Sequence, residues 1–253
     1  MTDSTISGLY GPAIPQPRDF SDALDGLVLS CDTPQNPVVN CSFETGDYTG
    51  WVTQDFPYPD FFFEQQVAGP TYVGYTFFTS SPVDGVFSSL NGFDGAGPGT
   101  IELGQDISLP AGSSLTLEFA HRAAWDLYNY GGGTLDRQFD VVIEPSGGGA
   151  PIETFPVLTA SPGELVLDTG VTIESIDLSA YAGQSVRLNF VWTVPEAFTG
   201  PAFFEIDNVS VVAGAPPGPV QPSFAVPMLD VTGLLVLGAM TWALASKVLG
   251  SRS

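Results

Sequence analysis

Between residues 185 and 194 every even position (Val186, Leu188, Phe190, Trp192 and Val194) is apolar, while Arg187, Asn189 and Thr193 take odd ones. Side chains of an extended backbone alternate between two faces, so this stretch predicts a half-buried β-strand. The same period of two sets Leu115, Leu117 and Phe119 against Thr116 and Glu118, and Phe139, Val141 and Ile143 against Asp140 and Glu144. Further strand-forming runs at 61–67, 71–78, 100–107, 152–158, 172–178 and 202–212 bring the expected set to nine. Turn signals separate them, among them 94–99, 131–133 and 147–149, and no internal repeat is visible. The pattern predicts one all-β domain over residues 38–213, an antiparallel jelly-roll β-sandwich. In the last strand the apolar phase slips, with Phe204 and Ile206 on one parity and Val209 and Val211 on the other. A β-bulge near Asp207 and Asn208 would reconcile the two halves.

Both ends of the chain break the alternation. Residues 1–37 hold Pro12, Pro15, Pro17, Pro34 and Pro37 and a single short apolar run, Leu27-Val28-Leu29, so they read as an irregular arm. They lack the basic start and apolar core of a secretory signal, which implies a start further upstream or an unconventional export route. Residues 214–225 are rich in Pro and Gly and predict an extended spacer. After it, residues 231–246 carry no charge, and Lys247 and Arg252 follow. That pattern predicts one C-terminal transmembrane helix, lengthened by a snorkelling Lys247, with the basic end cytoplasmic and the β-domain outside.

Composition narrows the partners. The 253 residues include 28 acidic and 6 basic side chains, a net charge of -22, which excludes nucleic acid because a polyanion repels phosphate. The same charge suits solubility in salt or binding of divalent cations. Gly and Pro, at 29 and 22 positions, punctuate the chain too often for long helices. Cys31 and Cys41 flank a Pro-containing loop; they form either a small disulfide in an oxidising compartment or two free thiols.

The tail containing Val226, Pro227, Leu229 and Gly233 ahead of the apolar run resembles the bacterial IPTL-CTERM sorting signals. It departs from the usual motif at Met228, Asp230, Val231 and Thr232. The resemblance implies a membrane-held protein of the cell envelope, possible release to the surface, and a sorting protease as partner. The domain opens Asn40-Cys41-Ser42-Phe43-Glu44-Thr45-Gly46-Asp47-Tyr48-Thr49-Gly50-Trp51 and closes Phe203-Phe204-Glu205-Ile206-Asp207-Asn208-Val209-Ser210-Val211, and both ends resemble galactose-binding-like jelly rolls such as carbohydrate-binding modules and MAM-like domains. Residues 176–188 fit the same pattern. That resemblance implies glycan binding or adhesion, and a structural Ca2+ between the first and last strands, which maps onto Glu44 and Asp207 with Asp47 beside them. Calcium needs six to eight oxygens, and the alternative is that these carboxylates accept backbone hydrogen bonds in turns.

Trp51 and Trp192 sit in strand-like or motif positions and are expected in the core. Trp125, Asp126, Tyr128 and Tyr130 lie in a stretch without alternation, where exposed rings could stack on sugar C–H faces while a carboxylate meets hydroxyls. Tyr58, Phe61 and Phe62 form a second such group. Catalytic signals are weak: the one histidine, His121, continues the strand at 115–119, and no HExxH, Gly-x-Ser-x-Gly or phosphate loop occurs. Asn40-Cys41-Ser42 and Asn208-Val209-Ser210 match the glycosylation sequon, which requires a eukaryotic secretory route that the tail argues against. The expectation is a non-catalytic glycan-binding or adhesion module, the opposing class being an exported hydrolase whose paired carboxylates meet only in the fold.

Overall fold

A computed structural model describes residues 30–55, 65–70, 72–74, 78–93, 97–112, 114–130 and 132–214. The segments expected to form the transmembrane helix and the spacer beyond residue 214, the expected sorting residues Val226, Pro227, Leu229 and Gly233, and the Tyr58, Phe61 and Phe62 group all lie outside these. Among the described residues no helix is long and apolar enough to cross a membrane.

The described strands are β1 (Val52–Gln54), β2 (Gln66–Ala68), β3 (Val73–Gly74), β4 (Phe78–Thr79), β5 (Ser88–Phe93), β6 (Gly99–Ser108) and β7 (Leu115–Asp126). They continue as β8 (Arg137–Pro145), β9 (Glu153–Ala160), β10 (Leu165–Val166), β11 (Thr172–Asp177), β12 (Ser185–Val194) and β13 (Ala202–Ala213). One sheet has the order β1-β6-β12-β8-β9; the other has β10-β7-β13-β5-β2, with β11 also on β7. Every pairing within them is antiparallel. From β5 to β8 each strand crosses to the opposite sheet, as do β11 to β12 and β12 to β13, so the expected all-β, antiparallel sandwich of jelly-roll form is what the chain builds.

Alternation explains the core. Val186, Leu188, Phe190, Trp192 and Val194 of β12 are buried, and so are Leu115, Leu117 and Phe119 of β7 and Phe139, Val141 and Ile143 of β8. Rings from the two sheets meet there: Phe139 stacks on Phe204 at 3.4 Å between centroids, and Phe119 sets its edge on Phe190 at 5.0 Å. Trp51 and Trp192 are core residues as expected, Trp51 stacking on Phe43 at 5.5 Å. A smaller apolar cluster of Ala68, Phe78, Leu90, Ala124 and Phe203 joins β2, β4 and β5 to β7 and β13.

Some elements differ from expectation. The run at 71–78 is not one strand but two two-residue strands, β3 and β4, paired with each other. β1 and β5 were not expected, for different reasons. β1 is exposed at every position, so no apolar alternation marks it. β5 reads Ser-Ser-Leu-Asn-Gly-Phe, and its Ser88, Ser89 and Asn91 are buried only because the neighbouring strand and loop cover them.

The bulge falls where the phase slip placed it: the β13–β7 register shifts between Asp207 and Ser210, and Asn208 has φ of 52°. A bulge leaves backbone groups without ladder partners, and here residues 31–41 supply them. Val209 N–H donates to the Cys41 carbonyl, Val211 N–H to Asn36 Oδ1, and Asn36 Nδ2 to the Val209 carbonyl. Asn208 Oδ1 in turn accepts from Cys31 N–H at 2.8 Å. Cys31 and Cys41 form a disulfide that closes this clamp, with both residues in the core.

Candidate functional site

Three loops interlock at one end of the sandwich. Leu127 N–H donates to the Glu164 carbonyl and Gly163 N–H to the Leu127 carbonyl, which joins the turn after β7 to the turn before β10. The loop between β12 and β13 closes the other side, where Asp126 N–H donates to the Pro201 carbonyl. Glu196 accepts from the amides of Thr134 and Leu135 at 2.7 and 2.9 Å, and these bonds hold its carboxyl below the usual range. Buried Arg137 donates from Nη2 to Thr199 Oγ1 at 2.5 Å and to the Gly200 carbonyl at 2.7 Å. Gly200 has φ of 105°, and a Cβ there would collide with the Asp126 carbonyl oxygen and press on Cβ of Tyr130 at 3.3 Å, so this close approach requires glycine.

The four residues expected to bind ligand divide in this frame. Tyr128 and Tyr130 are 68% and 51% exposed, on the turn that the other two loops brace. Trp125 and Asp126 are corrected: they end β7 instead of entering a loop, and both are buried. Indole Nε1 of Trp125 donates to Glu164 Oε2 at 3.3 Å, and Asp126 spends its two carboxylate oxygens on the amide and side chain of Asn129. Alternation fails there because every residue from Ala123 to Leu127 is buried, whichever face it occupies. Sequence reasoning missed Phe198, which is 67% exposed with φ of 56° on the loop braced by Arg137. A bulky apolar residue just ahead of Gly200-Pro201, in a turn, was the available signal. Grooves of about 330 and 470 Å³ flank the disulfide clamp instead, on residues such as Asn36, Ile173 and Val212 or Asp32, Asn40 and Thr45. Stacking on a ring needs an exposed face and not a cavity, and the aromatic end is where such faces are presented.

The expected calcium ligands have other work. Glu44 Oε1 accepts the amides of Val86 and Phe87 at 2.8 and 2.7 Å, while Asp207 accepts those of Val83 and Asp84 on Oδ2 and of Asn208 on Oδ1. Asp47 accepts from Thr45 Oγ1 and Thr49 N–H within its own exposed turn. Burial pushes the Asp207 carboxyl up to about 7 against the pull of its three amides, and nearby Asp84 adds to the rise. Among the described residues no three Asp, Glu, His or Cys side chains gather as ligands. Amide donors facing the carboxylates are the opposite of a shell of oxygens, so the residues present do not fit calcium in this arrangement. They fit a loop pinned to the sheet. Next to Asp207 on β13, buried Glu205 accepts from Ser80 Oγ, Ser88 Oγ and Ser81 N–H and lies 3.5 Å from Arg122 Nη1.

His121, the one histidine, is buried. Its ring lies in the core, stacked on Phe204 at 5.6 Å, and burial lowers its pKa to about 4. On the outer face of the first sheet, Asn189 Nδ2 donates to Glu102 Oε2 at 3.0 Å and to Glu144 Oε1 at 3.2 Å, which brings together two carboxylates far apart in sequence.

Neither a protein-family model nor a curated protein matches this chain. Solved structures show a partial likeness to it. The carbohydrate-binding module TmCBM61, in complex with β-1,4-galactotriose, is 14% identical over 71% of this chain and 99% of its own, at a TM-score of 0.45. A cyclase from Fischerella sp. is 17% identical over 71% of this chain and 95% of its own, at 0.46. The K3 adhesin domain of Lys-gingipain from Porphyromonas gingivalis is 15% identical over 69% of this chain and 96% of its own, at 0.43. At these identities and scores the likeness assigns no role to any residue of this chain.

Proposed function

We propose that the protein is a non-catalytic, exported binding module that takes a glycan at the loop end bearing Tyr128, Tyr130 and Phe198. The observation that carries this reading is three exposed aromatic rings on loops locked by Arg137, Glu196 and the Gly200 contact. Rings held in place lose little entropy on stacking against a sugar, which is how a shallow surface gains affinity. The Cys31–Cys41 disulfide supports a location outside the cytosol. In this reading the C-terminal apolar segment anchors the module in the inner membrane with the β-domain outside, and the sorting motif releases or relocates it. A reporter fused after Ser253 that is active only in the periplasm would refute that orientation.

The test is a glycan array followed by calorimetry on the glycans that bind, β-1,4-galactotriose included. Tyr128→Ala and Tyr130→Ala should each weaken binding by about five- to tenfold while the protein stays folded. Unaltered binding in both variants would refute the site. The second reading, a glycosidase, is favoured by Glu102 and Glu144, whose oxygens share one Asn189 donor and so lie no more than about 6 Å apart, within the range of paired catalytic carboxylates. Turnover of an array glycan that is lost in Glu102→Gln would select this reading over the first.

A further inference from the structure

We infer that the aromatic end discriminates by charge, accepting neutral glycans and rejecting those that carry carboxylate or sulfate. The inference rests on the glycan-binding reading above and adds the class of ligand. The three loops and the strand ends that carry them hold four acidic residues, Asp126, Asp136, Glu164 and Glu196, and one basic residue, Arg137. Arg137 is 2% exposed and donates inward to Thr199 and Gly200, so its charge acts on Glu196 from beneath the surface and is not offered to a ligand. Three of the carboxylates are held by neutral donors: Asp126 by Asn129, Glu164 by Ser161 N–H and the Trp125 indole, Glu196 by Thr134 and Leu135. A neutral N–H donor orients a carboxylate without cancelling its charge.

An anionic sugar stacked on Tyr128, Tyr130 or Phe198 would therefore sit among fixed negative charges with no exposed guanidinium or ammonium in the same loops to receive it. Tyrosine and phenylalanine faces are themselves negative, which adds to the repulsion. Over distances near the Debye length of roughly 8 Å at physiological ionic strength, such repulsion falls with added salt. A steric origin would not.

The experiment uses galacto-, gluco- and manno-trisaccharides, each paired with its 6-sulfated counterpart, against the folded protein at 20 and 300 mM NaCl (both about these values, chosen to bracket the screening length). The expected result is at least one neutral trisaccharide that binds about tenfold more tightly than its sulfated partner at low salt, with the gap closing at high salt. Asp136→Lys, at an exposed position, should narrow the low-salt gap while leaving the neutral affinity unchanged. A sulfated trisaccharide bound as tightly as its neutral partner would overturn the inference and leave glycan binding standing, as would a gap insensitive to both salt and Asp136→Lys. Failure of every trisaccharide and of the wider array would overturn the glycan reading itself, and the inference with it.

Discussion

His121 offers the sharpest quantitative test of the core. Its side chain is 6% exposed, neither ring nitrogen has a hydrogen-bond partner, and the nearest opposite charge, Glu174 Oε2, is 3.9 Å from Nε2. Burial therefore lowers its pKa from 6.5 to about 4. A base whose folded pKa is depressed binds its proton more readily in the unfolded chain, so stability is lost as pH falls through 6.5 and the loss is complete below about 4. At pH 5.0 those two values correspond to about 2 kcal/mol of lost stability, and at pH 7.5 to about 0.1 kcal/mol. Asp207 works in the opposite sense: its folded pKa is raised, so the folded state gains stability as pH falls below about 7. The wild-type profile alone would conceal both effects. The perturbation that separates them is His121→Phe, which preserves an aromatic ring against Phe204 and removes the titrating group. Urea unfolding of both proteins at pH 7.5 and 5.0 should show the variant gaining about 2 kcal/mol relative to wild type on going to the lower pH. A relative gain below about 0.5 kcal/mol would mean that the imidazole titrates in the folded protein much as it does in the unfolded chain, and the burial argument would fail. Proton NMR of the ring gives the folded pKa independently.

Arg122 binds Asp168 through two nitrogens at 2.8 Å, donates to the Thr79 carbonyl and covers the Phe78 ring at 4.7 Å, so Arg122→Ala should cost about 2–3 kcal/mol by chemical denaturation, and Lys should restore little because it cannot reproduce the fork. The double variant Cys31→Ser/Cys41→Ser should lose about 2–3 kcal/mol, with faster amide exchange at Val209 and Val211; exchange as slow as in wild type would separate the clamp from its disulfide. Asp207→Ala strands three amide donors and should lower stability by about 3 kcal/mol equally with and without chelator, whereas a chelator-sensitive melting temperature in calcium-loaded wild type, unchanged by magnesium, would restore the calcium site. Gly200→Ala should cost more than about 2 kcal/mol and weaken any glycan binding at Tyr130, since the new methyl group displaces the turn that carries it; wild-type stability and affinity would refute the bracing.

Elements that bury one face were legible from the chain alone, because alternation is a local consequence of extended backbone geometry: β7, β8, β12 and β13 follow from it. So does the bulge, since an extra residue in a strand must shift the apolar parity that Phe204, Ile206, Val209 and Val211 display. What alternation does not encode is coverage from above. Ser88, Glu205 and Asp207 are polar residues on strands, buried because the chain around residues 80–84 hydrogen-bonds across them, and that depends on contacts more than 100 positions apart. The same limit explains the aromatic end. Tyr128 and Tyr130 could be recognised as loop aromatics, but Trp125 and Asp126, next to them in sequence, are taken into the strand end, and Phe198 arrives from 68 residues beyond Tyr130. Local geometry thus determined the sandwich and its kink, while only the packing of distant loops decided which rings face solvent and which carboxylates do not, because burial is a property of neighbours that the backbone period cannot name.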